Sequence, residues 1–184
     1  MRFIWIVFCT LLCTACSTTA SSNSEACNID EQQRIAALLN DHWADWNPAS
    51  LMERFPHFTP EKSPTVLTFG RDRDGTLCAC GVSVIFVPSS TDELDTRLGY
   101  VNLMDASATF EEAVASSRRI VQAFRAQRIV DTLRNSTARD LPLNLTESTY
   151  ESTGREARDI TVTISKMESC FLWRVVQSRG ISPR

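Results

Sequence analysis

The chain has 184 residues, of which 43% are hydrophobic and 22% are charged, and its formal net charge at pH 7 is −3. A chain of this length can bury one substantial core, which predicts a single globular domain. Nucleic-acid-binding proteins normally carry an excess of basic side chains, and the slight acidic excess disfavours that class. The sequence has no internal repeat of the kind that predicts a solenoid.

The N-terminus has the pattern of an export signal. Arg2 is the only charged residue before a mainly apolar run of thirteen residues, 3–15. This run is shorter than the roughly 20 apolar residues that are needed to span a bilayer. A charged start, a short apolar run and an exit of small residues are typical of a cleaved signal peptide. The sequence contains no second apolar run long enough to cross a membrane.

The exit of this segment resembles the lipobox of bacterial lipoproteins. Residues 11–16 read LLCTAC, with Cys13 at a position where that family usually has leucine. The resemblance implies cleavage after Ala15 and acylation of Cys16, with palmitate among the acyl chains. Ser17 follows in place of the aspartate that retains such proteins at the inner membrane, which implies an outer-membrane lipoprotein facing the periplasm. The alternative is an ordinary cleaved signal without a lipid.

The mature chain is predicted to divide into a tether and a domain. Residues 16–26 comprise the lipidated cysteine and a stretch rich in Ser and Thr. Such a stretch cannot bury enough apolar surface to fold and acts as a flexible leash. Residues 27–184 then form one globular α+β domain. Removal of residues 1–15 leaves 169 residues with 18 basic and 22 acidic side chains.

Four cysteines remain after the tether, namely Cys27, Cys78, Cys80 and Cys170. An even number of cysteines in an oxidising compartment predicts two disulfide bonds. Cys78 and Cys80 lie two residues apart on a predicted strand, so their Cα atoms are about 6.6 Å apart and their side chains are parallel. This geometry disfavours a bond between them. Each is expected to pair with Cys27 or Cys170, and the sequence leaves both pairings open.

The first predicted element is a helix over residues 30–46, with Asp30 as its cap and Gln33 three residues later. Apolar residues at helical spacing would form its buried stripe. These residues are Ile35, Leu38, Leu39, Trp43 and Trp46. The next segment, residues 47–64, contains four prolines and is predicted to be a loop.

A β-hairpin is predicted for residues 65–87, with a two-residue turn at Asp74 and Gly75. This turn sets a register in which Leu67 opposes Val82 and Phe69 opposes Cys80. Six residues then share one buried face because strand side chains alternate. They are Leu67, Phe69, Cys78, Cys80, Val82 and Val84.

The second half of the chain predicts one long helix between strands. A third strand covers residues 98–104, and Thr109 with Glu112 forms a capping signal that opens the helix. Its apolar stripe ends at Phe124, which predicts a kink or an end near residues 125–128. Two closing strands, RDITVTISK and CFLWRVV, are joined by a short turn. The predicted fold is α+β, with a mainly antiparallel sheet, the order α-β-β-β-α-β-β and two helices packed on the sheet.

The sequence shows no recognisable catalytic or metal-binding set. Of the two histidines, His42 and His57, only His42 has a nearby acid, Asp45, on the same helix face. A zinc site needs three or four convergent ligands. A serine-hydrolase G-x-S-x-G motif is missing. We therefore predict no catalytic residue, no metal site and no cofactor.

Two functional hypotheses follow. The first is a tethered, non-enzymatic module that binds another envelope protein, as an assembly or secretion accessory, or as an inhibitor or immunity factor. The second is a protein that binds or hydrolyses cell-wall glycan, in which Trp43 and Trp46 stack on a sugar and Asp45 hydrogen-bonds to it. The second hypothesis needs both tryptophans to be exposed. Because no catalytic set is recognisable, the sequence favours the first.

Overall fold

A computed structural model describes residues 28–61, 63–69, 80–88, 96–150 and 157–179, with only the backbone described at Tyr150. The predictions for the signal peptide, Cys16 and the tether therefore lie outside the described residues. So do the turn at Asp74 and Gly75 and the side chains of Cys27 and Cys78.

The first helix, α1, spans Ile29–Asp41. Its cap is Asn28, whose side chain accepts a hydrogen bond from the backbone N–H of Asp30, and not Asp30 itself as the sequence predicted. The predicted helix is also too long, because Trp43–Asp45 forms a separate 3-10 turn. Trp43 continues the apolar spacing of the helix, and this spacing alone cannot distinguish an α-helix from a 3-10 turn that follows it.

The proline-rich segment contains regular structure, so the prediction of a loop over residues 47–64 was wrong. Helix α2 spans Pro48–Arg54, and Asn47 and Ser50 form a reciprocal capping box at its start. Proline is tolerated in the first turn of a helix because the N–H that it lacks has no partner there. Pro60 lies in the short strand β1, Thr59–Glu61, and Pro64 lies near the start of β2, Ser63–Phe69.

The described residues form seven strands in one antiparallel sheet, in the order β1-β2-β3-β4-β7-β6-β5. The remaining strands are β3 Gly81–Pro88, β4 Thr96–Ser107, β5 Leu143–Tyr150, β6 Ala157–Lys166 and β7 Phe171–Arg179. The α+β class and the antiparallel sheet are confirmed, whereas the order of elements along the chain differs from the prediction because strands β1 and β5 and two further helices are present. Strand β5 was missed because only its two leucines are apolar in the stretch LNLTEST.

Strands β2 and β3 pair as the predicted hairpin, but their register differs from the prediction. Leu67 opposes Val84 and Phe69 opposes Val82, a shift of two residues. A turn fixes the register of a hairpin only where pairing continues regularly up to that turn. Because the shift is even, Leu67, Phe69, Val82 and Val84 still share the buried face.

Helix α3 spans Phe110–Ala123 and begins with the predicted capping box of Thr109 and Glu112. It ends at the predicted break, where Arg125 has a φ of 63°, and helix α4 follows over Gln127–Asn135. The described residues thus form four α-helices rather than two. Helix α3 packs on β4, β6 and β7, α4 packs on β5, α2 packs on β2, and α1 packs on α3. These helices and the inward residues of the strands enclose the core.

Candidate interaction face

The side of the sheet opposite the helices presents a second set of strand residues. Because side chains alternate along a strand, the neighbours of the core residues point to this side. We call this surface the open face. It consists of Val66, Thr68, Ser83, Ile85, Val87, Arg97, Tyr100, Asn102, Met104, Ala106, Asn144, Thr146, Ser148, Asp159, Thr161, Thr163, Ser165, Leu172, Arg174, Val176 and Ser178.

Arg174 lies near the middle of the open face, and its side chain is fixed by two neighbours on β4. Its Nε donates to the Oδ1 of Asn102 at 2.6 Å, and its Nη2 donates to the hydroxyl of Tyr100. Asn102 is only 6% exposed, whereas Arg174 is exposed. The guanidinium is therefore held in one orientation before any partner arrives, which lowers the entropy cost of using it in binding.

The open face carries little charge. Its charged residues are Arg97, Asp159 and Arg174, and the hydroxyl of Ser148 donates to the Oδ1 of Asp159 at 2.6 Å. Thr146 and Thr161 share a hydrogen bond of 3.2 Å across β5 and β6. The centres of protein interfaces are depleted in charged residues and enriched in Tyr, Met and Arg. Tyr100, Met104 and Arg174 and the small number of charges are features that the open face shares with an interface centre.

The other polar cluster lies under the helices and holds the fold together. The Nη1 of Arg158 donates to the backbone oxygen and to the Oδ1 of Asn40, at 3.0 and 2.9 Å. The Nε2 of Gln177 donates to the same Oδ1 at 2.9 Å. Burial lowers the pKa of Arg158 to about 10, and the positive charge of Arg125 adds to this shift. The cluster attaches the C-terminal end of α1 to β6 and β7.

The three residues predicted to contact a ligand do not form one exposed surface. Trp43 is 2% exposed, and the guanidinium of Arg158 lies 5.1 Å from the centre of its ring. Trp46 is half-buried, and its indole N–H donates to the backbone oxygen of Leu38 at 3.4 Å. Asp45 is exposed. The joint exposure of both tryptophans that a sugar-stacking site needs is therefore not found.

The two histidines occupy separate positions on the surface. The Nδ1 of His42 lies 3.6 Å from a carboxylate oxygen of Asp45, and both side chains are exposed. His57 stacks on Phe69 with a centroid distance of 5.5 Å. In the part of the chain that the structure describes, no group of three or more His, Cys, Asp or Glu residues could hold a metal ion.

Asp105 is the one described carboxyl group whose pKa is raised. Burial raises the pKa of Asp105. A hydrogen bond that its carboxylate accepts from the backbone N–H of Ala106, at 2.7 Å, lowers the pKa and so opposes this increase. Paired titratable groups with divergent pKa values are the usual sign of an acid and a base in catalysis. The pKa of Asp105 is shifted by burial and not by a second titratable group, so it does not indicate such a pair.

Two further predictions concern membrane contact and disulfide bonds. Cys80 and Cys170 each take part in a disulfide bond. Because Cys27 and Cys78 lie outside the described residues, the partner of each stays a prediction. No helix among the described residues has the length and apolar character needed to cross a membrane.

The sequence predicts the strands of the open face except β5, but it does not predict the contacts of its central residues. The alternation in YVNLM shows that Tyr100, Asn102 and Met104 share one side of a strand. Their contact with Arg174 depends on the pairing of β4 with β7, which joins segments about seventy residues apart. No local pattern predicts that pairing.

Comparison with protein-family models, with characterised proteins and with solved structures found no match for this chain.

Proposed function

We propose that the chain is a lipoprotein, tethered at the periplasmic side of the outer membrane, that acts as a non-enzymatic protein-binding module. It binds another protein of the envelope through the open face. The observation that supports this most is the fixed Arg174 at the centre of a broad, nearly uncharged sheet surface. The lipobox resemblance at residues 11–16 supports the location.

The dimensions of the open face suit a protein partner better than a small ligand. Seven strands spaced about 4.8 Å apart span roughly 29 Å. The strands of eight to twelve residues extend about 26 to 40 Å in the other direction at roughly 3.3 Å per residue. A standard protein interface buries about 800 Å² on each partner. The face can therefore supply a complete interface without any contribution from the helices.

The chemistry of Arg174 indicates what lies opposite it in the complex. Two of its donor groups are directed at Asn102 and Tyr100, and the guanidinium retains further N–H groups. A guanidinium that is desolvated at an interface needs a carboxylate or another strong acceptor from the partner. We expect the partner to place an acidic side chain against Arg174 and small uncharged residues against the threonines and serines around it.

Capture experiments with matched arginine variants test this proposal. Arg174→Ala removes an exposed arginine from the open face, and Arg128→Ala removes an exposed arginine from α4. When the tagged protein is cross-linked in intact cells and purified, the partner retained by the wild type should fall at least tenfold with Arg174→Ala, which corresponds to about 1.4 kcal/mol. Arg128→Ala should retain it fully. Equal retention by both variants would contradict the role of the open face.

The tether has a separate test at Cys16. Cys16→Ala removes the only thiol that the lipobox resemblance assigns to acylation, so the precursor should remain unprocessed or appear in the soluble fraction. Labelling with a fatty-acid analogue, followed by membrane fractionation, measures both effects. Normal acylation and membrane association of the variant would refute the assignment of Cys16, and would leave the test of the open face unaffected.

A further inference from the structure

The two edges of the sheet differ in how well they are protected from pairing with another strand. Strand β1 is three residues long, contains Pro60 and has an irregular register at Pro60 and Glu61. Short length, proline and irregularity are the devices by which proteins block an edge. Strand β5 is eight residues long and contains no proline, lysine or arginine. Its register with β6 is regular from end to end.

Strand β5 is also held firmly in an extended form. Its side chains bond to β6 through Thr146 with Thr161 and through Ser148 with Asp159. On the helix side, a carboxylate oxygen of Glu147 accepts a hydrogen bond from the backbone N–H of Ile129 in α4, at 3.0 Å. An edge strand directs alternate backbone N–H and C=O groups away from its sheet. Among the described residues, no strand pairs with β5 on that outer side.

We propose that β5 pairs antiparallel with β5 of a second copy of this chain, in a symmetric dimer centred on Thr146. The two seven-stranded sheets then form one continuous sheet, and the two open faces lie side by side. This inference does not depend on the identity of any other partner, and it goes beyond the proposed function.

The open-face side chains of β5 are complementary to themselves in this arrangement. On the open face, Thr146 faces Thr146 of the partner subunit, and Asn144 faces Ser148 of the partner subunit. Such polar cross-strand pairs stabilise a sheet by about 0.2–1 kcal/mol each. On the helix side, the half-buried Leu145 lies beside Glu147 of the partner subunit. No two like charges oppose each other along the described part of the strand, which favours a second copy over an unrelated strand.

A cysteine at the symmetry axis tests the dimer directly. Directly opposed residues of an antiparallel pair have Cα atoms about 4.5 or 5.5 Å apart, which is within the range of a disulfide bond. The exported full-length protein with Thr146→Cys should therefore form a disulfide-linked dimer on a non-reducing gel. Thr163→Cys is the matched control, because it lies on the same face but one strand in from the edge. It should stay monomeric on the gel.

A charge at the same position provides a second readout. Thr146→Lys places two like charges directly opposite each other at the axis, and the side chain is exposed, so the fold should tolerate it. By light scattering of the purified lipoprotein in detergent, corrected for the mass of the micelle, the wild type and Thr132→Lys, which changes an exposed threonine of α4, should be dimers and Thr146→Lys a monomer. A monomeric wild type without a cross-link from Thr146→Cys would overturn the proposal. A cross-link from Thr146→Cys to a different protein would also overturn it, because the edge would then accept a foreign strand.

Discussion

Replacing Trp173 by alanine will lower the free energy of unfolding by about 3–5 kcal/mol, the range found for large aromatic residues in protein cores. Trp173 is 0% exposed and lies on β7, between Asp105 on β4 and Ile164 on β6. It faces the helices at the centre of the sheet, so its removal leaves a cavity that neighbouring strands cannot fill. Urea unfolding with the disulfides intact measures the change.

Trp173→Phe is the matched variant and should cost about 1–2 kcal/mol, because most of the ring volume remains. The indole N–H of Trp173 is buried and has no hydrogen-bond partner in the described part of the chain. Removal of this N–H in Trp173→Phe should therefore add no penalty for a broken hydrogen bond. If Trp173→Phe were as destabilising as Trp173→Ala, this account of the core around Trp173 would be wrong.

The second large effect is expected at Arg158, where methionine should lower the free energy of unfolding by about 2–4 kcal/mol. Arg158 is 6% exposed and donates two hydrogen bonds to Asn40 at the end of α1. Without it, the backbone oxygen of Asn40 loses a buried donor, which costs about 1–3 kcal/mol. The contact between the arginine stem and the ring of Trp43 is weakened as well.

Arg158→Lys separates the charge from the shape of the side chain. Lysine keeps the positive charge but lacks the planar group that reaches both oxygens of Asn40 at once. Its loss of stability should lie between those of the wild type and Arg158→Met in the same urea experiment. If Arg158→Lys were indistinguishable from the wild type, charge alone would hold the end of α1, and the paired hydrogen bonds would be unnecessary.

The elements that the sequence predicted well are those determined by neighbouring residues. Helix α3 begins at the capping box of Thr109 and Glu112 and ends after the stripe that reaches Phe124, and both signals are local. The end of α1 was placed too late because Trp43 keeps the spacing of a helix while lying in a 3-10 turn. Helix α2 is not predicted, because four prolines in residues 47–64 indicate a loop, although Pro48 occupies the first turn, where proline is tolerated.

The arrangement of the strands depends on contacts between distant segments, and here the sequence was insufficient. The last strand, β7, inserts between β4 and β6, so that the central strand pair joins residues about seventy positions apart. Most side chains of the edge strand β5 are polar. Its sequence therefore resembles that of a loop. The open face, and the fixing of Arg174 by Asn102 and Tyr100, exist only once that order is known.

Site-specific photo-cross-linking in intact cells tests the proposed binding function most directly. A photoreactive phenylalanine analogue replaces Leu172 on the open face in one variant and Gln122, an exposed residue of α3, in the other. We expect a covalent adduct with another envelope protein from position 172 and none from position 122. Adducts from position 122 alone, or no adduct from position 172 in a correctly folded protein, would contradict it.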